Sequence, residues 1–179
     1  MEMPFRGAAN AEGFFSGTRA ALVGGTTTVI DFAVPVEGQE GLLASFDYWA
    51  QRAEDEAVTD FGLHPVITKW SRAVESDMEV MVRERGVNSF KMYLAHTGSP
   101  NVDDLGLLHI LAKCRDLGAL PLVHAENDAM VEEGRRRVFA EGVTGPEGHA
   151  LSRPPVVRIL NPVLQGLGLR GWGLGAWGA

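Results

Sequence analysis

Four times along this chain, a short β-branched or apolar run gives way to a longer segment with helical spacing. Residues 26–34 (TTTVIDFAV) read as a buried strand ended by Pro35. Residues 59–67 (TDFGLHPVI), 87–95 (VNSFKMYLA) and 119–124 (ALPLVH) read as three more, with Pro65 a weak point in the second. A helix over 17–23 precedes the first strand, and Gly24-Gly25 stops it. Between the strands, Leu42, Leu43, Phe46 and Trp49 recur at helical spacing within 42–57. Val74, Met78, Met81 and Val82 form one stripe within 71–85, closed by Gly86. Asp103 is placed to cap a helix running to Leu117, with Gly118 just beyond it. A charged helix over 127–140 follows the last strand.

Strand and helix in strict alternation predict parallel βα units, hence an α/β fold. Two closures suit such units: an open doubly wound sheet and a (β/α)8 barrel. No Gly-rich dinucleotide loop follows a strand, because Gly24-Gly25 precedes one instead of opening a helix. Four units are too few for a barrel, which takes eight strands and about 250 residues. The pattern therefore predicts part of a barrel, with a parallel sheet of four strands in sequence order.

Charge divides the chain unevenly. Residues 155–179 hold Arg158 and Arg170 and no acid, whereas the whole chain carries −7. That stretch also contains six of the 22 glycines and lacks any helical or strand period. It predicts a Gly/Trp-rich, unstructured tail over 156–179, behind a folded region over 1–155. The acidic balance, with a pI near 5.2, argues against a nucleic-acid partner. No run of about 18 apolar residues is present to span a membrane, and residues 1–10 lack a secretory signal's apolar core. Cys114 is the only cysteine, which excludes an internal disulfide and suits a reducing, cytoplasmic setting.

In parallel α/β folds, chemistry gathers at the carboxyl ends of strands. The polar residues there are Asp31, His64, Lys91, His96, His124 and Glu126. Asp31 suits a turn cap, His64 a packing role, and Glu126 a place beside a helix N-terminus. Lys91 is unusual, one of three lysines against thirteen arginines, and it lies inside an apolar strand. Its face alternates through Val87, Ser89 and Tyr93. A lysine there must snorkel, pair or lose its proton. His124 ends a strand in VHAEN, a place for a ligand. From the residues alone, a packing role for Lys91 and His124 stays open beside the ligand role.

Several stretches resemble the dihydropyrimidinase/hydantoinase branch of the amidohydrolase superfamily. They are MEMPF at 1–5, FFSGTRAALVGGTTTVIDFAVP at 14–35, GVNSFKMYLA at 86–95, DLGALPLVHAEN at 116–127 and GVTGPEGHALSRP at 142–154. All occur in the family's order, across about residues 1–155. The resemblance implies a (β/α)8 barrel with two bridged zinc ions. It implies hydrolysis of the cyclic amide bond of 5,6-dihydropyrimidines or hydantoins to N-carbamoyl amino acids, as in pyrimidine catabolism. In that family a His-x-His pair ends strand 1 and a carbamylated lysine lies on strand 4. Histidines after strands 5 and 6 and an aspartate after strand 8 complete the ligands. Lys91 matches the lysine and His124 the strand-5 histidine. His96 stands where the family has a substrate-contacting tyrosine.

The departures from the pattern are equally specific. The His-x-His pair would precede Met1, and the later histidine and aspartate would follow residue 155. The chain thus matches strands 2 to 5 and holds two of the six metal ligands. It is expected to look truncated in front, to leave the family pattern after SRPP, and to be inactive alone. The resemblance implies a small cyclic-amide substrate and a homotetramer, with self-association or aggregation the expectation for the part present. A second reading is a non-catalytic oligomeric scaffold similar to the collapsin-response-mediator relatives. Those relatives characteristically lack the carbamylated lysine, and retention of Lys91 favours the enzyme lineage.

Overall fold

A computed structural model describes residues 12–95 and 101–159. The chain divides after His124 into two compact units. The first holds α1 (Phe14–Val23), β1 (Thr28–Ala33), α2 (Leu42–Glu56), β2 (Asp60–Pro65), α3 (Arg72–Glu84), β3 (Ser89–Tyr93), α4 (Asp104–Leu117) and β4 (Leu120–His124). The second holds α5 (Asp128–Ala140), α6 (Glu147–Leu151) and α7 (Val156–Ile159). Among the described residues, no helix is long and apolar enough to cross a membrane.

Capping chemistry sets the helix starts. Ser71 Oγ accepts the Val74 amide at 3.2 Å, and Asp103 Oδ1 accepts the Gly106 amide at 2.7 Å. Gly118 ends α4 in the left-handed conformation, at φ 69°, where a side chain would be strained. The N-terminus of α2 is capped from a distance. Gly41 offers no side chain, and Asp77 on α3 accepts the Leu42 and Leu43 amides at 3.0 and 3.1 Å. A carboxylate there also faces the positive end of the helix dipole.

One core cluster seats α1 and α2 against β1. Phe14, Ala33, Trp49 and Ala53 are buried together, and the Phe14 and Trp49 rings meet edge-on at 6.3 Å. The Trp49 indole N–H donates to the Val34 carbonyl at 2.8 Å, so a large apolar ring is buried with its one polar atom satisfied. Elsewhere Met78, Met81, Phe90, Met92, Leu107 and Ile110 are fully buried. Burial of each such side chain contributes about 1.5–3 kcal/mol before entropy is counted. Cys114 belongs with these apolar groups, and burial pushes its thiol up to about 12.

The strands are parallel, as the alternation predicts, but they do not form one continuous sheet. β1 pairs with β2 and β3 with β4, and a single bridge, Val66 to Lys91, links the two ladders. Pro65 is the physical reason. The Val66 amide donates to Ala33 O on the β1 side, and the Ile67 amide donates to Lys91 O on the β3 side. Successive amides point to opposite sides of a strand. Position 65 therefore faces β3, and proline has no N–H to give.

Helical structure continues beyond Pro155. In the second unit Val157 is buried and its carbonyl accepts the Asn127 amide at 3.0 Å. The predicted tail over 156–179 thus includes a helical turn at Val156–Ile159. The rest of it, 160–179, lies outside the described residues.

Candidate metal-bridging face

Register decides which side chains share a face. Phe32 lies beside His64, Val66 beside Lys91, and Tyr93 beside His124. Paired residues on neighbouring strands point the same way, as do residues two apart on one strand. Phe32, His64, Ser89, Lys91, Tyr93 and His124 therefore project from one face. Phe90 and Met92, both fully buried, lie on the other.

Lys91 and His124 are on adjacent strands, two residues out of register, since Lys91 pairs with Leu122 and His124 with Tyr93. Aromatic rings surround the amine: Nζ lies 4.6 Å from the centroid of Tyr93 and 5.6 Å from that of Phe32. The Tyr93 and His124 rings are 5.8 Å apart. No carboxylate pairs with Lys91 among the described residues, and burial holds its amine below the ordinary lysine range. The aromatic faces favour the ammonium form, whereas removal from water favours the neutral amine, and burial is the larger influence. Burial raises the Tyr93 phenol for the same reason.

The other sequence candidates separate. His64 shares the face but is already engaged, its Nδ1 2.5 Å from Ser89 Oγ. Burial first, and then the charge of Lys91, lower its imidazole from the ordinary value. Asp31 alternates to the opposite face from Phe32, and its Oδ1 accepts the Phe32 amide at 2.8 Å. Glu126, in the second unit, is buried, with Oε2 3.5 Å from Arg153 Nε. It is committed to an ion pair there, beyond the helix-terminus role its position suggests. Asn127 beside it caps α5 by accepting the Met130 amide at 3.0 Å. His96 lies outside the described residues. Sequence reasoning did not single out Phe32 or the His64–Ser89 pair, because both belong to the site only through cross-strand register.

The donor chemistry fits a shared metal site in part. A half-buried lysine with a depressed pKa is a group that can capture carbon dioxide, and an imidazole on the adjacent strand is a natural metal ligand. Among the described residues, no cluster of three or more His, Cys, Asp or Glu side chains converges to hold an ion. Lys91 and His124 would thus be part of a ligand set, not the whole of one.

These features define an α/β chain of parallel βα units, and its solved neighbours are amidohydrolases. The dihydropyrimidinase from Brevibacillus agri superposes with a TM-score of 0.80 and 35% identity, over 88% of this chain and 34% of that one. Over the stretch it shares with its relatives, the chain belongs to the dihydropyrimidinase/hydantoinase family. It is 50% identical to the dihydropyrimidinase of Arabidopsis thaliana over 157 residues, 88% of this chain and 29% of that protein. With the dihydropyrimidinase of Dictyostelium discoideum the figures are 47% over 153 residues, 86% and 30%. The dihydropyrimidinase-related protein 5 of Mus musculus is also similar, at 39% over 150 residues, 84% of this chain and 26% of that protein. No family model matches the chain. It spans about 30% of the length of the curated relatives it matches.

Proposed function

We propose that this chain carries the central metal-bridging part of a zinc-dependent cyclic-amide hydrolase. The substrates are 5,6-dihydropyrimidines or hydantoins and the products N-carbamoyl amino acids. In this reading β1 to β4 are strands 2 to 5 of the barrel, Lys91 and His124 are metal ligands, and His96 contacts substrate. The observation that carries it is the placement of Lys91 and His124 on one face of adjacent strands, with burial depressing the Lys91 pKa.

The chemistry of each residue follows from its surroundings. A neutral Lys91 amine adds to carbon dioxide and sheds a proton, leaving a carbamate whose single negative charge is shared by two oxygens. The half-buried setting favours the neutral amine that this needs. His124 would bind through a neutral ring nitrogen. Two zinc ions, when bound, supply Lewis acidity and an acidified water. A histidine at 96 can donate a hydrogen bond to a developing oxyanion, although its shape and pKa differ from a tyrosine's.

The similarity to dihydropyrimidinase-related protein 5 supports a second reading, a non-catalytic oligomeric scaffold. Lys91 discriminates between them, because a scaffold has no use for a lysine that must be carbamylated.

A chimera tests the enzyme reading. Residues 12–159 replace the matching stretch of an active dihydropyrimidinase, which supplies the remaining strands and ligands. Ring opening of dihydrouracil is expected, and Lys91→Ala or His124→Ala should each abolish it. Activity indifferent to Lys91 would overturn the assignment. A folded chimera that stays inactive even with His96→Tyr would favour the scaffold.

A further inference from the structure

His64 has no role in the reading above, yet it occupies the point where the sheet is weakest. Register carried back from the Val66–Lys91 bridge sets His64 beside Ser89. In an uninterrupted ladder the amide of residue 65 would donate to the Ser89 carbonyl, as the Ile67 amide donates to Lys91 O at 2.8 Å two residues further on. Pro65 removes that donor. The same two strands are joined instead through side chains, His64 Nδ1 to Ser89 Oγ at 2.5 Å. Ser89 is buried, with 3% of its surface exposed, so water is a poor substitute partner for its hydroxyl.

The imidazole also reaches toward the amine. Its ring centroid lies 5.9 Å from that of Phe32, and the Phe32 ring in turn lies under Lys91 Nζ and 6.5 Å from the Tyr93 ring. Ser89 sits two residues before Lys91 on the same face of β3. One side chain thus ties β2 to β3 below Lys91 and seats an aromatic ring against the lysine.

We infer that His64 is a positioning residue for Lys91, its hydrogen bond to Ser89 acting as a clasp that replaces the ladder bond lost at Pro65. The importance of Lys91 rests on the proposed function; the clasp rests on geometry alone. Two consequences distinguish it from ordinary packing. An asparagine at 64 places an amide group near the Nδ1 position and should preserve the clasp, whereas phenylalanine keeps the packing and loses the bond. Restoring a backbone donor with Pro65→Val should make the clasp dispensable.

The chain has three lysines, Lys69, Lys91 and Lys113, so competitive acetylation read by mass spectrometry reports Lys91 against two internal references. In the full 179-residue chain, His64→Phe and Ser89→Ala should raise Lys91 labelling relative to Lys69 and Lys113. The expected rise is about fivefold, the change in a local opening equilibrium that one lost hydrogen bond produces. His64→Asn should label like the native chain, and so should Pro65→Val combined with His64→Phe. Equal labelling of Lys91 in native, His64→Phe and Ser89→Ala chains would overturn the proposal. So would failure of Pro65→Val to restore the native pattern in a chain with native circular dichroism. If His64→Phe does not fold, Ser89→Ala and its combination with Pro65→Val decide alone. Labelling needs neither metal nor substrate. A clasp confirmed here beside an inactive chimera would therefore refute the proposed function and leave the clasp standing.

Discussion

At the scale of single residues, Lys91 makes a claim about pH. Its folded pKa is depressed by burial, so the folded chain holds this proton less tightly than the unfolded chain does. Below the folded pKa the whole penalty is present. It is relieved as pH rises from the folded value toward the unfolded value near 10.4. Stability should therefore gain on moving from neutral to alkaline pH, as far as this group is concerned. Tyr93 works in the opposite sense: its raised pKa leaves stability intact below the unfolded value and takes it away above. Comparison with Lys91→Met isolates the lysine. The variant should be more stable than the native chain at pH 7, and that advantage should shrink toward pH 10 in urea denaturation. An advantage that is constant with pH would mean that the amine is well solvated. A lysine in an apolar strand was visible in the sequence as an anomaly, and its neighbour His124 as a strand-end ligand. What remained hidden were Phe32 and the partnership of His64 with Ser89, since those depend on how two strands are aligned.

Elements show where local rules are overridden. Starts of α3, α4 and α5 were legible because Ser71, Asp103 and Asn127 cap them from adjacent positions. The start of α2 was not, because its cap comes from Asp77, on another helix. Asp77→Ala should cost about 1 kcal/mol of stability, the usual loss for a helix cap, read as a lower urea midpoint. Asp77→Asn should keep part of it. The short helices Glu147–Leu151 and Val156–Ile159 escaped notice for a general reason: a single turn has little cooperativity of its own and forms where tertiary contacts select it. Gly134 inside α5 shows one such contact. A methyl group there would run into the backbone of Ser152. In an exposed helix, Gly→Ala stabilises by about 1 kcal/mol; here the sign should reverse. Gly134→Ala is expected to lower the urea midpoint, and an increase would show that residues 152–157 yield easily.

For the whole molecule, the βα alternation correctly announced parallel strands. It could not announce the gap between β2 and β3, because a proline's effect depends on which side of the strand its missing amide faces. Composition likewise drew a boundary at residue 155 from charge and glycine content; Val157 just beyond it is buried in the second unit, and residues 160–179 lie outside the described residues. Such a change of composition says nothing about packing. The strand arrangement has a consequence for association. Among the described residues, β1 and β4 each pair on one side only, and Ile30 and Leu120 are 60% and 47% exposed. Unpaired parallel edges with apolar neighbours attract further strands. A polypeptide of these 179 residues should show concentration-dependent association by sedimentation velocity, and a monomer at every concentration would contradict this.

The same arithmetic of parts governs activity. Each catalytic zinc takes about three protein ligands, and the proposed set draws only Lys91 and His124 from this chain. A polypeptide of these 179 residues, supplied with zinc and bicarbonate, should therefore give no ring opening of dihydrouracil above buffer. Adding a His-x-His pair alone should not change that, because the later histidine and the aspartate would still be missing from the set. Turnover that disappears in Lys91→Ala would refute this expectation and mean that groups outside the proposed set, on this chain or on a second copy, complete the site. Turnover unaffected by Lys91→Ala would trace to a host enzyme in the preparation. The association predicted above separates the cases further. Activity that rises with the square of chain concentration and vanishes in Lys91→Ala would place the site between copies, whereas a contaminant's activity would rise linearly.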